Sequence, residues 1–274
     1  MLDLILRMIY GFISVSFVGA LLGLGLAVAA KKLRVEKDKT VEALGGFLPG
    51  LNCGSCGYAG CEPYAEALAA GTDTDITKCK PGGSICLEGL GEVLGIEVDT
   101  SGPKLVAQVH CRGGEGTAET RYNYKGLQNC NAATILFGGD KSCQYGCLGL
   151  GSCMQVCPTD AIFYDSDNLV WIDKNKCISC EKCVAVCPTN VIKMIPADAD
   201  VIVACNSRDK GKDTKSKCKV GCIGCQICNR KFPDAGYKIT ENLSIVGYTQ
   251  RGPGRKEAVE KCPTNSILAL EDKK

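Results

Sequence analysis

Cys177, Cys180, Cys183 and Cys187 stand in the run CISCEKCVAVCP, which ends on Pro188. Four thiolates converging on one small volume suit a cubane iron–sulfur cluster. Cys-x2-Cys steps curl the backbone round the cube so that N–H groups face its sulfides. A distant cysteine closes the cage, and a following proline turns the chain away. Such a centre carries single electrons and needs no substrate pocket. Zinc is the competing occupant, but it favours paired Cys-x2-Cys steps or histidines over three-cysteine runs that end on Cys-Pro.

Where two such runs occur together, the fourth cysteine of each ligates the other's cluster. One site is therefore expected from Cys177, Cys180 and Cys183 with Cys157. Its neighbour takes Cys187 and three cysteines of the run CQYGCLGLGSCMQVCP, which is altered: Leu150 stands at the middle ligand position, between Cys147 and Cys153. Cys143 is the expected replacement, giving Cys143, Cys147, Cys153 and Cys187. A third triplet, Cys222, Cys225 and Cys228, has Phe232 where its fourth cysteine would stand, and Cys262 before Pro263 is expected to close that cage. Cys218 is a possible substitute for Cys225. A fourth group, CGSCGYAGC followed by Cys79, offers Cys53, Cys56, Cys61 and Cys79 on a glycine-rich loop whose backbone can approach a cube closely. A redox disulfide between Cys53 and Cys56 is the alternative there. Cys86, Cys111, Cys130 and Cys205 belong to no close-spaced run and are read as packing residues, and His110 as structural. The expected total is four [4Fe–4S] clusters.

The elements that position these thiols are short. CQYGCLGLGSCMQVCP aligns without gaps on CKVGCIGCQICNRKFP. Twelve residues separate Cys130 from Cys143, and twelve separate Cys205 from Cys218. Cys-Pro-Thr recurs at Cys157, Cys187 and Cys262. This repetition points to duplicated ferredoxin-like units of α+β class. Expected boundaries are a membrane anchor over 1–30, a charged stalk over 31–42, a four-cysteine domain over 43–90 and a connecting segment over 91–140. A two-cluster unit follows over 141–195, and a one-cluster unit over 196–274. A short helix is expected over Glu62–Ala70 with Gly71 as its C-cap, and a β run over Leu169–Ile172.

The 274 residues include 21 cysteines but only 6% aromatic side chains, so inorganic cores are expected to replace much of a conventional one. Thirty-two basic against 30 acidic residues offer no argument for nucleic-acid binding. There is no GxGxxG or Walker sequence and no acid/base constellation, so no nucleotide site is expected in this chain. From Met8 to Ala30 no residue is charged; as a helix this stretch spans about 35 Å, enough to cross a hydrocarbon core of about 30 Å. Lys31, Lys32, Arg34, Lys37 and Lys39 follow it, against Arg7 before it, which places the rest of the chain in the cytoplasm of a single-pass inner-membrane protein. A secretory signal is the rival, with Ala27-Val28-Ala29 as its cleavage site, but the apolar stretch is too long and the basic cluster is on the wrong side. Gly19, Gly23 and Ala27 form a stripe of small residues suited to a partner helix.

The order of anchor, CGSCGYAGC with Cys79, and then ferredoxin-type runs resembles the B subunit of the Rnf complex, a membrane ferredoxin:NAD+ oxidoreductase coupled to sodium or proton transport. The resemblance implies an electron-relay subunit that accepts electrons from soluble ferredoxin and passes them to membrane subunits, with NAD and flavin handled elsewhere. It implies entry through the clusters after residue 140 and exit through the Cys53–Cys79 cluster. The extra triplet at Cys222–Cys228 departs from simpler relatives. Two other readings remain: an iron–sulfur subunit of another membrane oxidoreductase, or a structural zinc or redox-sensing thiol protein.

Overall fold

The computed structural model describes residues 2–32, 38–100 and 102–270. Helix α1 (Leu2–Lys32) is long and apolar enough to cross a membrane over Ile9–Lys32. Its described side chains are all exposed, and a Cβ added at Gly19 or Gly23 would meet nothing within 4 Å outside the helix's own backbone. Of the expected stalk, residues 33–37 lie outside the described residues. By Lys39 the chain is helical again.

Three helices form the next unit: α2 (Lys39–Phe47), α3 (Cys61–Ala69) and α4 (Gly83–Leu94). Asp38 caps α2 by accepting from the Thr40 amide at 2.9 Å. Leu44, Tyr64, Leu68, Cys86 and Leu90 close the core between them. Gly89 is required there, because a Cβ would lie 2.1 Å from the Phe47 ring that crosses α4. Helix α3 starts and ends one residue before the expected bounds, and Gly71 takes the left-handed conformation just beyond it (φ +66°).

The remainder is built twice on one plan. Strand β1 (Leu105–Val109) is followed by α5 (Cys130–Ile135), α6 (Ser152–Gln155), β2 (Ile162–Tyr164), β3 (Val170–Ile172), α7 (Lys182–Val186) and β4 (Ile192–Pro196). Strands β2 and β3 form an inner antiparallel hairpin, and β1 pairs antiparallel with β4 from Leu105↔Pro196 to Val109↔Ile192. The second copy runs through β5 (Val201–Val203), α8 (Gly211–Lys217), α9 (Ile227–Lys231), β6 (Tyr237–Thr240), β7 (Leu243–Val246), α10 (Glu257–Glu260) and β8 (Ile267–Ala269). Here β6–β7 is the inner hairpin and β5 closes with β8. The expected duplication is thus present as topology. The segment read as a connector, however, contributes β1, the closing strand of the first copy.

Local chemistry explains the repetition. In each of the three runs, the third cysteine occupies the second position of a short helix: Cys153 in α6, Cys183 in α7 and Cys228 in α9. The residue before each helix is left-handed: Gly151 (φ +71°), Glu181 (φ +60°) and Gln226 (φ +64°). Every Cys-Pro-Thr then leads into an Asp or Asn at φ near +50°, namely Asp160, Asn190 and Asn265, the residue types that tolerate this region best. A strand follows each turn. Each copy has its own apolar core, one around Val109, Ile162, Ile172 and Ile192 and one around Val203, Tyr237, Leu243 and Ile267. Val106, Ile195 and Ile202 join the copies. Arg255, almost fully buried, ties the second together. It meets Asp200 at 2.9 Å, donates to the carbonyls of Gly247 and Gln250, and lies over the Tyr248 ring.

Candidate iron–sulfur sites

All twenty-one cysteines are free thiols, and most gather into groups of four. In the C-terminal copy, Cys222, Cys225, Cys228 and Cys262 line one cavity enclosing about 330 Å³ of atom-free space, mouth included. This is the expected set with Cys225 as the middle member; Cys218 faces elsewhere. The Ser244 amide donates to Cys222 Sγ at 3.5 Å, and the Ser266 amide to Cys262 Sγ at 3.3 Å. Burial works against ionising Cys262, but bonds from Ser266 and Thr264 outweigh it and hold the thiol below its ordinary pKa.

In the first copy, a second cavity of about 330 Å³ is lined by Cys130, Cys147, Cys153 and Cys187. Three of these were expected together. The fourth is Cys130 and not Cys143, which is a correction to the reading from spacing. Asn129 caps α5 by accepting from the Ala132 amide, and the Cys130 amide donates to Ser152 Oγ at 2.8 Å. These contacts fix the start of α5 against α6, where Cys130 lines the cavity beside Cys153. Burial, reinforced by neighbouring thiols, pushes Cys153 up to about 12.

Cys157, Cys177, Cys180 and Cys183 are brought together as expected. Burial pushes the Cys183 thiol up to about 12, and Cys177, Cys180 and Cys157 all add to the shift. Main-chain amides again point at sulfur, Ala161 to Cys157 at 3.4 Å and Ala107 to Cys177 at 3.5 Å.

In the N-terminal unit, Cys56, Cys61 and Cys79 pack on the three-helix core. Cys53, on the same loop, lies within electrostatic reach of Cys180. The Cys61 amide donates to Asn52 Oδ1 at 2.8 Å, which closes the loop onto α3. Cys86 is more than a packing residue: its thiol hydrogen-bonds Cys79, bringing Cys79 down to about 7 and raising Cys86. The arm that carries Cys79 is held by Asp73, whose carboxylate accepts from Lys78, from Tyr58 Oη at 2.7 Å and from the Asp75 amide at 3.0 Å. Donation by Lys78 first, then by Tyr58 and Asp75, lowers Asp73 to about 2.

The remaining cysteines are not scattered. Cys143, Cys218, Cys111 and Cys205 line a third cavity, of about 430 Å³. His110 is half-buried, with Nδ1 3.0 Å from the Val203 carbonyl oxygen, and desolvation of the ring lowers its pKa to about 4. A structural role fits that placement.

Cube-sized clusters fit these sites better than single ions do. Among the described residues, no three His, Cys, Asp or Glu side chains converge closely enough to hold one metal ion, whereas zinc sits about 2.3 Å from its sulfurs. Four thiols around a larger volume, with N–H groups aimed at sulfur, are the donor set of an iron–sulfur cube. The groups also adjoin one another. Cys205 neighbours Cys222, Cys111 neighbours Cys147, Cys153 neighbours Cys183, and Cys180 neighbours Cys53. Ser55 Oγ donates to the Cys180 carbonyl at 2.6 Å, docking the N-terminal unit on the first copy.

Comparison with known proteins agrees with this chemistry. Residues 48–81 match the family described as "Putative Fe-S cluster", and residues 143–194 match the 4Fe-4S dicluster domain. The B subunit of the Na(+)-translocating ferredoxin:NAD(+) oxidoreductase complex of Acetobacterium woodii is 39% identical over 249 residues, covering 91% of this chain and 74% of that protein. The B subunit of the ion-translocating oxidoreductase complex of Methanosarcina acetivorans is 37% identical, covering 91% and 93%. The B subunit of the proton-translocating ferredoxin:NAD(+) oxidoreductase complex of Clostridium ljungdahlii is 35% identical, covering 93% and 90%. With thiol groups of this kind and relatives matched along most of their length, the chain belongs to the family of B subunits of ion-translocating oxidoreductase complexes, the Rnf family.

Proposed function

We propose that this chain is the iron–sulfur electron-transfer subunit of a membrane ferredoxin:NAD+ oxidoreductase coupled to ion transport, working within a multi-subunit complex. The observation that carries the reading is the succession of adjoining thiol groups from the C-terminal copy to the N-terminal three-helix unit. We assign ligands as Cys53, Cys56, Cys61 and Cys79; Cys157, Cys177, Cys180 and Cys183; Cys130, Cys147, Cys153 and Cys187; and Cys222, Cys225, Cys228 and Cys262. Clusters bound there supply one-electron redox chemistry. The chain's own residues hold the thiolates and stabilise their charge through amide and hydroxyl donors. Helix α1 anchors the chain in the cytoplasmic membrane, and the basic residues that follow it put the soluble units in the cytoplasm. Soluble ferredoxin is the donor, and membrane subunits near the Cys53 group are the acceptors.

The test is anaerobic mixing of the detergent-solubilised chain with reduced ferredoxin. Loss of the chain's visible iron–sulfur absorbance, faster than with NADH alone, is expected. A chain that dithionite bleaches but ferredoxin does not would remove ferredoxin as its donor.

A further inference from the structure

Four cysteines outside the assigned sets meet at the junction of the two copies. We propose that Cys111, Cys143, Cys205 and Cys218 form a fifth four-thiolate site, for an iron–sulfur cluster of the cubane class. The proposal extends the reading that the other thiol groups bind such clusters, and it stands on four observations about its own residues.

The cavity these thiols share encloses about 430 Å³ on the measure that gives about 330 Å³ for each of the two cavities described above. The three cavities are of the same order of size. Cys111 and Cys205 are buried, and Cys143 and Cys218 half-buried.

Each sulfur faces main-chain donors. The Gly113 amide donates to Cys111 Sγ at 3.3 Å. Amides of Tyr145, of Ser207 and Cys222, and of Val220 and Gly221 serve Cys143, Cys205 and Cys218 in turn. Such donors stabilise thiolate and would be wasted on apolar packing. At Gly113 an added Cβ would lie 3.3 Å from Cys218 Sγ, 3.7 Å from Cys111 Sγ and 3.1 Å from Ala118 Cβ. The backbone passes between two sulfurs that arrive from distant parts of the chain.

Lys141 lines the same cavity, is 9% exposed, and donates to the Gly113 carbonyl at 2.7 Å. No carboxylate lies within ion-pair distance of it among the described residues. A buried ammonium is costly without a counter-charge. A cube held by four thiolates carries net negative charge and supplies one.

The duplication accounts for the membership. Cys130, Cys143, Cys147, Cys153 and Cys187 each recur seventy-five positions later, as Cys205, Cys218, Cys222, Cys228 and Cys262. In the first copy Leu150 leaves the middle place empty, and Cys130 fills it. In the second copy Cys225 occupies that place, so Cys205 is released. It turns to the junction, where Cys143 and Cys218, which open the two runs, already face each other. Cys111, just past β1, makes the fourth.

The experiment is iron and acid-labile sulfide per chain, with zinc measured alongside, on anaerobically purified and reconstituted full-length protein in detergent. It is then repeated on the Cys111→Ser, Cys218→Ser double variant. About twenty of each per chain is expected in the parent, four per cube in five sites. The variant should lose about four of each and keep the rest, which itself reports that the other sites fold. About sixteen in the parent, unchanged in the variant, overturns the fifth site and leaves the others standing. One zinc per chain that disappears in the variant overturns the cluster assignment. Parent protein with little iron at all overturns the wider iron–sulfur reading as well. Should the variant lose all its iron through misfolding, the parent count alone decides between five sites and four.

Discussion

Leu150 stands where Cys180 and Cys225 stand in the other two runs, and the fourth thiol lining the cavity of its run is that of Cys130, at the head of α5. This makes a reciprocal exchange testable. Cys130→Ser is expected to remove about four iron per chain, and adding Leu150→Cys should restore them by supplying the regular middle ligand. If Cys130→Ser keeps its iron, the ligand is Cys143, as spacing alone suggests. The example marks what could be read directly. Thiols two residues apart on a loop are neighbours by covalent geometry, so the complete triplets and their closing Cys-Pro positions were legible. Cys111, Cys130 and Cys205 reach their cavities through strand pairing and helix docking far along the chain, which no local pattern encodes. One signal was available: the equal gap from Cys130 to Cys143 and from Cys205 to Cys218 showed that those residues belong to the repeat. Leu150 and Cys225 then decide where the two members diverge.

Among the elements, the short ones owe their form to turns more than to propensity. Helices of four or five residues do not hold alone in water, and the described sheets have two strands each, which is marginal without a packed face. The Asp or Asn after each Cys-Pro-Thr, and the left-handed residue before each short helix, therefore set much of the local path. The expected β run near residue 170 and the helix near residue 62 were legible from such signals. Strand β1 was not, because its partner β4 lies in another part of the chain. The arm from Thr72 to Cys79 depends on Asp73 in a similar way. Its carboxyl is lowered in the folded state, so its contribution to stability is present above about pH 4, the ordinary aspartate range, and is lost as pH falls toward 2. Asp73→Asn is expected to free the arm at neutral pH and to speed, severalfold, the chelator-driven loss of iron from the N-terminal site. An unchanged rate would mean that α3 and α4 hold Cys79 without it.

For the whole molecule, α1 and the cysteine-bearing units are nearly independent. The described side chains of α1 are exposed throughout and share no core with the rest. Deleting residues 2–32 should move the chain to the soluble fraction with its iron content per chain unchanged. A fall in iron would show that the helix supports the N-terminal site. Between the soluble units the coupling is closer. Ser55 bonds to the Cys180 carbonyl, and Val106, Ile195 and Ile202 pack the two copies together, so spacing between neighbouring thiol groups is set by protein contacts and not by linkers.

The nested strand pairing also bears on how the molecule is made. Strand β1 leaves the ribosome well before β4, and β5 well before β8, so each copy closes only when its last strand appears. Ligands follow the same order. On the assignment proposed above, the N-terminal group is complete at Cys79, the two groups of the first copy at Cys183 and Cys187, and the last at Cys262. Unfilled thiols are exposed to oxidants and stray metals throughout that interval. Helix α1 precedes every cysteine, so the segment long and apolar enough to cross a membrane is synthesised before the first thiol group is complete.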